Sequence, residues 1–187
     1  MPSRKPAPEN YLRLAPGVSV KALKELYLYD ARSDELYEIN EEALDFLTAC
    51  DGAGPAKDLR YDEKFLSYCL EEGLMEALDK PSPRPVNVYC APTPSLRYLE
   101  IQITHRCNRR CRHCYIGPSR PVDMSPDAIP DAMGQFEKMG GLRVMLSGGE
   151  PLMQYEFCRA LLERCGREGL HRCVDTCANV SWRAVEA

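Results

Sequence analysis

Three cysteines, Cys107, Cys111 and Cys114, lie close together in THRCNRRCRHCY, with three residues between the first two and two between the last two. Three thiolates in so short a loop can each hold one iron of a cubane cluster and leave the fourth iron without a protein ligand, as a catalytic zinc keeps one position open. An open iron calls for a second molecule to fill it. The spacing is not that of a bacterial ferredoxin, C-x2-C-x2-C-x3-C-P. A structural zinc site would need a C-x2-C pair and a fourth ligand, for which His105 and His113 are the nearby candidates. Further on comes SGGEP, residues 147–151. Gly148 and Gly149 would let backbone amides approach and face a ligand, and Glu150 offers an acceptor for an ammonium group. GGEP alone also suits an ordinary strand-to-helix turn. The pairing of the two clusters is far more specific than either one.

The elements around these residues repeat strand, loop and helix. LRYLEIQIT reads as a strand and SPDAIPDAMGQFEKMG as a helix capped by Ser125 with Pro126 at its first position. LRVMLSG is a second strand, YEFCRALLERCGREG a second helix, HRCVDTCAN a third strand, and SWRAVEA the opening of another helix. Such alternation is the pattern of an α/β fold with parallel strands, whose ligands collect at the carboxyl ends of the strands. Both clusters fall at that end.

The first half has a different texture. A short arm, YLRLAPGVSV, is followed by a hairpin with Leu26, Tyr27 and Leu28 on one strand and Leu36, Tyr37 and Ile39 on the other. Asn40 can cap a helix over EEALDFLTAC with Glu41 and Glu42 in its first turn, and DGAG stops it. A second helix presents Phe65, Leu66, Cys69 and Leu70 before Gly73 ends it. These pieces suggest a small winged-helix-like α+β module. Residues 1–80 carry 10 basic and 17 acidic groups, whereas residues 81–187 carry 14 and 11. The break falls at PSPRPVNVYCAPTPS, so the expected organisation is a domain over 1–80, a Pro-rich linker over 81–95 and an α/β domain over 96–187. So acidic a first half is a poor match for nucleic acid.

No stretch reaches the apolar length of a membrane span, and the start, MPSRKPAPEN, lacks the apolar core of a signal peptide, which places the chain in the cytoplasm. Its ten cysteines then read as reduced thiols and metal ligands rather than a disulfide framework. Cys50, Cys69, Cys158 and Cys165 sit on apolar helical faces as small hydrophobes. Cys173 and Cys177 could serve an auxiliary cluster, but on one strand they lie too far apart to share a metal without a bend.

CNRRCRHC and GGEP together resemble the radical S-adenosylmethionine (radical SAM) superfamily over roughly residues 96–187. The resemblance implies an iron-sulfur enzyme of oxidoreductase type. Cys107, Cys111 and Cys114 would bind a [4Fe-4S] cluster, and S-adenosylmethionine would chelate the open iron. Gly148, Gly149 and Glu150 would hold its methionine amino end, and His113 would lie near its adenine. It also implies reduction by a flavodoxin- or ferredoxin-type donor, reductive cleavage to a 5'-deoxyadenosyl radical and hydrogen-atom abstraction. The stretch through DTCANVSW is similar to glycyl-radical enzyme activases, which would place Asp175 and Thr176 beside the methionine carboxylate, with a monovalent cation between them. Tyr155 stands where those activases often carry proline, and their amino-terminal strand and ferredoxin-like insert have no counterpart, so a glycyl-radical partner is not assigned.

Residues 11–78 resemble the PqqD-like peptide-recognition family through RLAPGVSV and YEINEEALDFLTACDG. That resemblance implies a leader or precursor peptide added as a strand to an exposed sheet edge, expected near KELYLY. The link DGAGPAKDLRYDEK is shorter than that family's usual middle, so a docking or purely structural role stays open. The expected fold is therefore the amino-terminal part of a partial (β/α) barrel behind a winged-helix-like domain. A full barrel takes about 250 residues, and only two and a half strand-helix units follow residue 96, so the chain is expected to be the amino-terminal part of a longer protein, or a truncated piece of one, and to be inactive alone. The expected function is peptide modification by a radical SAM enzyme. Action on another substrate, activation of a partner enzyme, and a zinc-stabilised binding module with no activity are the alternatives.

Overall fold

KELYLYD and ELYEIN form the expected hairpin, β3 (Leu26–Asp30) and β4 (Glu35–Glu38). Asp34 turns the chain at φ 62° and accepts a 2.8 Å hydrogen bond from the Tyr29 hydroxyl. The computed structural model describes residues 6–167 and 169–177. These divide into two compact units, one ending at Ser95 and the other beginning at Leu96.

In the first unit the arm is not loose chain but two strands, β1 (Tyr11–Leu14) and β2 (Val18–Ala22). Alternation of buried Leu12 and Leu14 with half-buried Tyr11 and Arg13 suits a strand that covers a core with one face. The chain then continues through α1 (Glu41–Ala49), β5 (Asp51–Pro55), α2 (Glu63–Glu71), β6 (Met75–Leu78) and β7 (Val88–Cys90). Asn40 caps α1 by accepting the Ala43 amide at 2.8 Å, and Asp62 caps α2 by accepting that of Phe65 at 2.8 Å. Gly73, at φ 67°, ends α2 as expected.

The strands make two sheets, in the orders β5-β1-β6 and β4-β3-β2-β7. DGAGP thus pairs with β1 instead of only stopping a helix, and MEAL after Gly73 is a strand. The Pro-rich segment also contributes a strand, since β7 lies parallel to β2. There Lys21 is fully buried, with its ammonium 4.4 Å from the Tyr89 ring centre and 5.8 Å from that of Tyr29. The peptide-edge expectation needs correction: KELYLY becomes β3, which is flanked by β2 and β4, so its backbone groups are already paired. The open edges of that sheet are β4 and β7.

The second unit is a three-stranded parallel sheet, β8 (Tyr98–Thr104), β9 (Arg143–Gly148) and β10 (His171–Val174), in the order β10-β9-β8. Helix α3 (Ile129–Lys138) connects the first pair and α4 (Tyr155–Arg167) the second. Ile101, Ile103, Val144 and Leu146 alternate along their strands and pack with Ile129, Met133 and Phe136 of α3 and with Cys158, Leu161 and Cys165 of α4. The result is an open α/β sheet of the kind that begins a (β/α) barrel. Ser125 precedes a 3-10 turn, Pro126–Ala128, but makes no capping hydrogen bond through its side chain. The third strand stops at Val174, so Asp175, Thr176 and Cys177 lie past its end, and Cys177 does not share a strand face with Cys173. The helix expected at SWRAVEA lies outside the described residues.

Candidate functional site

Parallel strands all end on the same side, so three loops meet there: the cysteine loop after β8, the GGEP turn after β9 and the DTC turn after β10. The cysteine loop is long and polar, and its ends are pinned together. Thr104 bridges to Asp123, the His105 amide donates to the Val122 carbonyl (2.8 Å), and the Met124 amide donates to that of Ile103 (2.9 Å). The Thr104 hydroxyl donates to Asp123 at 2.7 Å, and Arg106 meets the same carboxylate at 2.9 Å. The hydrogen bond from Thr104, helped by Arg106, holds the Asp123 carboxyl below its ordinary pKa. Asp123 belongs to no motif, and sequence reasoning passed over it. Arg120, also unmarked, lies 2.9 Å from Nδ1 of His105.

Cys107, Cys111 and Cys114 line one cavity of about 870 Å³ together with Gly149 and Cys177. Cys107 is half-buried, and Cys111 and Cys114 are exposed. The Cys107 amide donates to Ser119 Oγ at 3.0 Å, and its sulfur accepts the Arg109 amide at 3.4 Å. Amide hydrogen bonds to a ligating sulfur are one means by which proteins tune iron-sulfur centres. A cubane spreads its thiolates over separate irons, whereas a single zinc draws its donors in to about 2.0–2.3 Å. Among the described residues no three His, Cys, Asp or Glu side chains converge on one metal ion. Three thiols around one roomy cavity fit the donor set of a cluster. His113 is exposed and is not among the residues lining this cavity.

The GGEP turn is used differently from the sequence expectation. The Gly149 amide donates to the Thr104 carbonyl and the Glu150 amide to that of Arg106, each at 2.8 Å, so neither faces a ligand. The glycines permit this close approach. A Cβ on Gly148 would lie 2.3 Å from the Thr104 carbonyl oxygen, and one on Gly149 would lie 2.3 Å from that of Arg106. Gly148 also has a φ of 147°.

Glu150 is fully buried. Its Oε1 accepts from the Leu152 amide (3.0 Å) and the Thr176 hydroxyl (2.6 Å), and its Oε2 accepts from the amide (3.0 Å) and thiol (2.7 Å) of Cys177. Burial pushes its pKa up, but the bonds from Cys177, Thr176 and Leu152 outweigh that and hold it below the ordinary value. Asp175 is exposed, and its amide donates to the Leu146 carbonyl at 2.9 Å. Sequence reasoning did not place Cys177 in this site, because its distance from Cys107 along the chain carries no motif.

Two further cysteines of the second unit are structural. Cys158 and Cys165 are buried in the core, where burial raises the Cys158 thiol to about 11. No described helix is long and apolar enough to cross a membrane.

Comparison with known proteins gives this arrangement a context. Residues 101–187 match the Radical SAM superfamily. The (2S)-3-sulfopropanediol dehydratase activating enzyme of Klebsiella oxytoca is 37% identical over 70 residues, covering 37% of this chain and 22% of that protein. The pyruvate formate-lyase-activating enzyme of Staphylococcus epidermidis is 38% identical over 94 residues, covering 46% and 36%. SuiB of Streptococcus suis, solved bound to precursor peptide SuiA, superposes with a TM-score of 0.58 at 17% identity, over 94% of this chain and 45% of SuiB. SuiB bound to S-adenosylmethionine superposes with a TM-score of 0.50 at 14% identity, over 98% and 44%. The chain thus spans less than half the length of each of these proteins. With three cysteines and a GGEP turn joined at the ends of parallel strands, residues 101–187 form a radical SAM superfamily domain.

Proposed function

We propose that this protein is a radical SAM enzyme that modifies a ribosomally made peptide recognised by its first unit. The carrying observation is the shared cavity of Cys107, Cys111, Cys114 and Gly149. The three cysteines would hold a [4Fe-4S] cluster, with S-adenosylmethionine lying against the turns at Gly148–Glu150 and Asp175–Thr176 and a monovalent cation beside Asp175. Bound together, these groups supply one-electron chemistry: reductive cleavage of the sulfonium and hydrogen-atom abstraction from the substrate. The chain's own contribution is placement. Ser119 and the Arg109 amide fix Cys107, Asp123 closes the base of the loop with Thr104 and Arg106, and the glycines seat the second turn against the first. His113, in the exposed part of the loop, would meet the adenine end of the cofactor. Electrons would come from a flavodoxin or ferredoxin.

The peptide assignment rests on the β4 edge. The Ile39 amide donates to the Leu26 carbonyl, so alternation along the hairpin turns the backbone groups of Leu36 and Glu38 away from β3. Tyr68 of α2, 44% exposed, stands edge-on to Tyr37 with ring centres 6.2 Å apart. An open edge beside an aromatic helix face is what strand addition requires. The superposition on SuiB, which extends over both units, supports this reading, while the activating enzymes match less than half of the chain. Their higher identity favours a second reading, in which the substrate is a partner enzyme and the first unit docks it.

Anaerobic reconstitution with iron and sulfide should load about four irons per chain, and Cys111→Ala should abolish this. One tightly held zinc with no iron uptake would overturn the assignment. If a short precursor peptide is encoded beside the gene, a fluorescent copy of it should bind the chain. Glu38→Pro, which removes an outward amide without costing an internal sheet bond, should weaken that binding about tenfold, or ~1.4 kcal/mol. Undiminished binding would remove the β4 edge from consideration.

A further inference from the structure

A carboxylate has about four lone-pair positions, and Glu150 has four donors: the Leu152 amide, the Thr176 hydroxyl, and the amide and thiol of Cys177. It is also fully buried. An incoming ammonium would have to displace one of these donors, and two of them are backbone amides. These contacts join two turns that meet the same cavity, since Gly149 precedes Glu150 and Cys177 lines the cavity wall. Beyond the end of β10, the turn is held to its neighbours by the Asp175 amide on Leu146 and by Glu150.

Resting on the reading of this cavity as the cofactor site, we infer that Glu150 does not touch the cofactor and is a positioning residue, a buried staple that fixes the Asp175–Cys177 turn against the GGEP turn through Thr176 and Cys177. This departs from the role the family resemblance implies, in which Glu150 holds the methionine amino group. The staple sets where exposed Asp175, one residue before Thr176, stands relative to Gly149. The Thr176 hydroxyl, at 2.6 Å, is the side-chain half of the staple that can be removed without altering the carboxylate.

The test is S-adenosylmethionine binding to the anaerobically reconstituted chain by equilibrium dialysis, with the desamino analogue as a second ligand. Thr176→Val should retain wild-type iron content and weaken S-adenosylmethionine binding about three- to tenfold, and Thr176→Ser should restore it. For Thr176→Val and Glu150→Gln alike, the preference for S-adenosylmethionine over the desamino analogue should equal that of the wild type, because the amino group is not bound by Glu150. Loss of that preference in Glu150→Gln, or wild-type affinity in Thr176→Val, would overturn the inference. Should Glu150→Gln fail to fold, Thr176→Val and Thr176→Ser still decide it. If the wild-type chain takes up no iron, the proposed function fails instead. Hydrogen exchange then reads the staple: the Cys177 amide should exchange faster in Thr176→Val than in wild type, and unchanged exchange would refute it.

Discussion

Gly149→Ala is the most direct probe of how the site is built. The added methyl would lie 2.3 Å from the Arg106 carbonyl oxygen, 2.7 Å from its carbon and 2.9 Å from the His105 carbonyl oxygen. All three are backbone atoms in the segment that leads into Cys107, so no side-chain rotation can make room. Overpacking of this kind costs about 1–3 kcal/mol. Pushing the strands' ends apart also stretches the Gly149 and Glu150 amide bonds to Thr104 and Arg106, at about 1 kcal/mol for each bond lost. The expected destabilisation is about 2–4 kcal/mol, a large share of the roughly 5–15 kcal/mol that holds a domain together. Gly134→Ala is the control, because a methyl there meets nothing within 4 Å. In helix α3 it should be neutral or stabilise by up to ~1 kcal/mol. Urea titration followed by far-ultraviolet circular dichroism gives both values, with a midpoint for Gly149→Ala lower by about 1–2 M. Two units can unfold separately, so hydrogen exchange in β8 and β9 identifies which transition has moved. Equal stability of the two variants would refute the backbone-contact account of the GGEP turn.

Other expectations follow from the same geometry. In the first unit, burial pushes the Asp30 carboxyl up, but hydrogen bonds and charge from Arg32 outweigh it and hold the pKa below the ordinary value. The ion pair therefore contributes fully above the ordinary carboxylate pKa, and its contribution fades as pH falls through the depressed folded value. Because Arg32 is half-exposed, Arg32→Ala should cost about 1–3 kcal/mol at pH 7 and progressively less on acidification, measured by urea titration across pH. Burial raises the thiols of Cys50 and Cys69 to about 12, so neither should react with a disulfide reagent at pH 8 in the native chain. Cys111 and Cys114 should react readily when no cluster is bound, as mass spectrometry of the labelled peptides would show. Asp123→Asn removes the ion pair with Arg106 and should lower iron uptake while leaving the first unit's unfolding transition in place.

What the sequence made legible was local. Three cysteines in eight residues mark a candidate metal or cluster loop from their spacing alone, and the structure gathers all three at one cavity. Strands β8 and β9 read correctly because their apolar residues alternate against two amphipathic helices. The missed strands were those whose pairing is remote. Tyr11 of β1 faces Leu78 of β6 and Pro55 of β5, and nothing within YLRL, DGAGP or MEAL signals those partners. DGAGP in particular has turn composition, and only its backbone pairing with β1 makes it a strand. The hairpin was recognised, but the loss of its β3 edge to β2 depended on the same unread arm. In the site, Asp123 escaped notice and Cys177 was considered only beside Cys173, because a carboxylate or thiol far along the chain becomes informative only when the fold returns it to the cysteine loop.

The same limit explains why GGEP was assigned to ligand contact before strand contact. Glycines are read as openings for a substrate, but here the bare Cα of Gly149 is filled by the Arg106 carbonyl, and the two following features extend the contact. The Glu150 amide fastens the second strand end to the first, and the Glu150 carboxylate fastens it to the third. One four-residue turn therefore sets the spacing of all three loops that border the cavity. The cysteine loop and the third turn are thereby held in a fixed relation, since each is tied to the turn between them. In an open sheet of three parallel strands, whose loops would otherwise move independently, that coupling lets a motif of such small residues govern the geometry of the site.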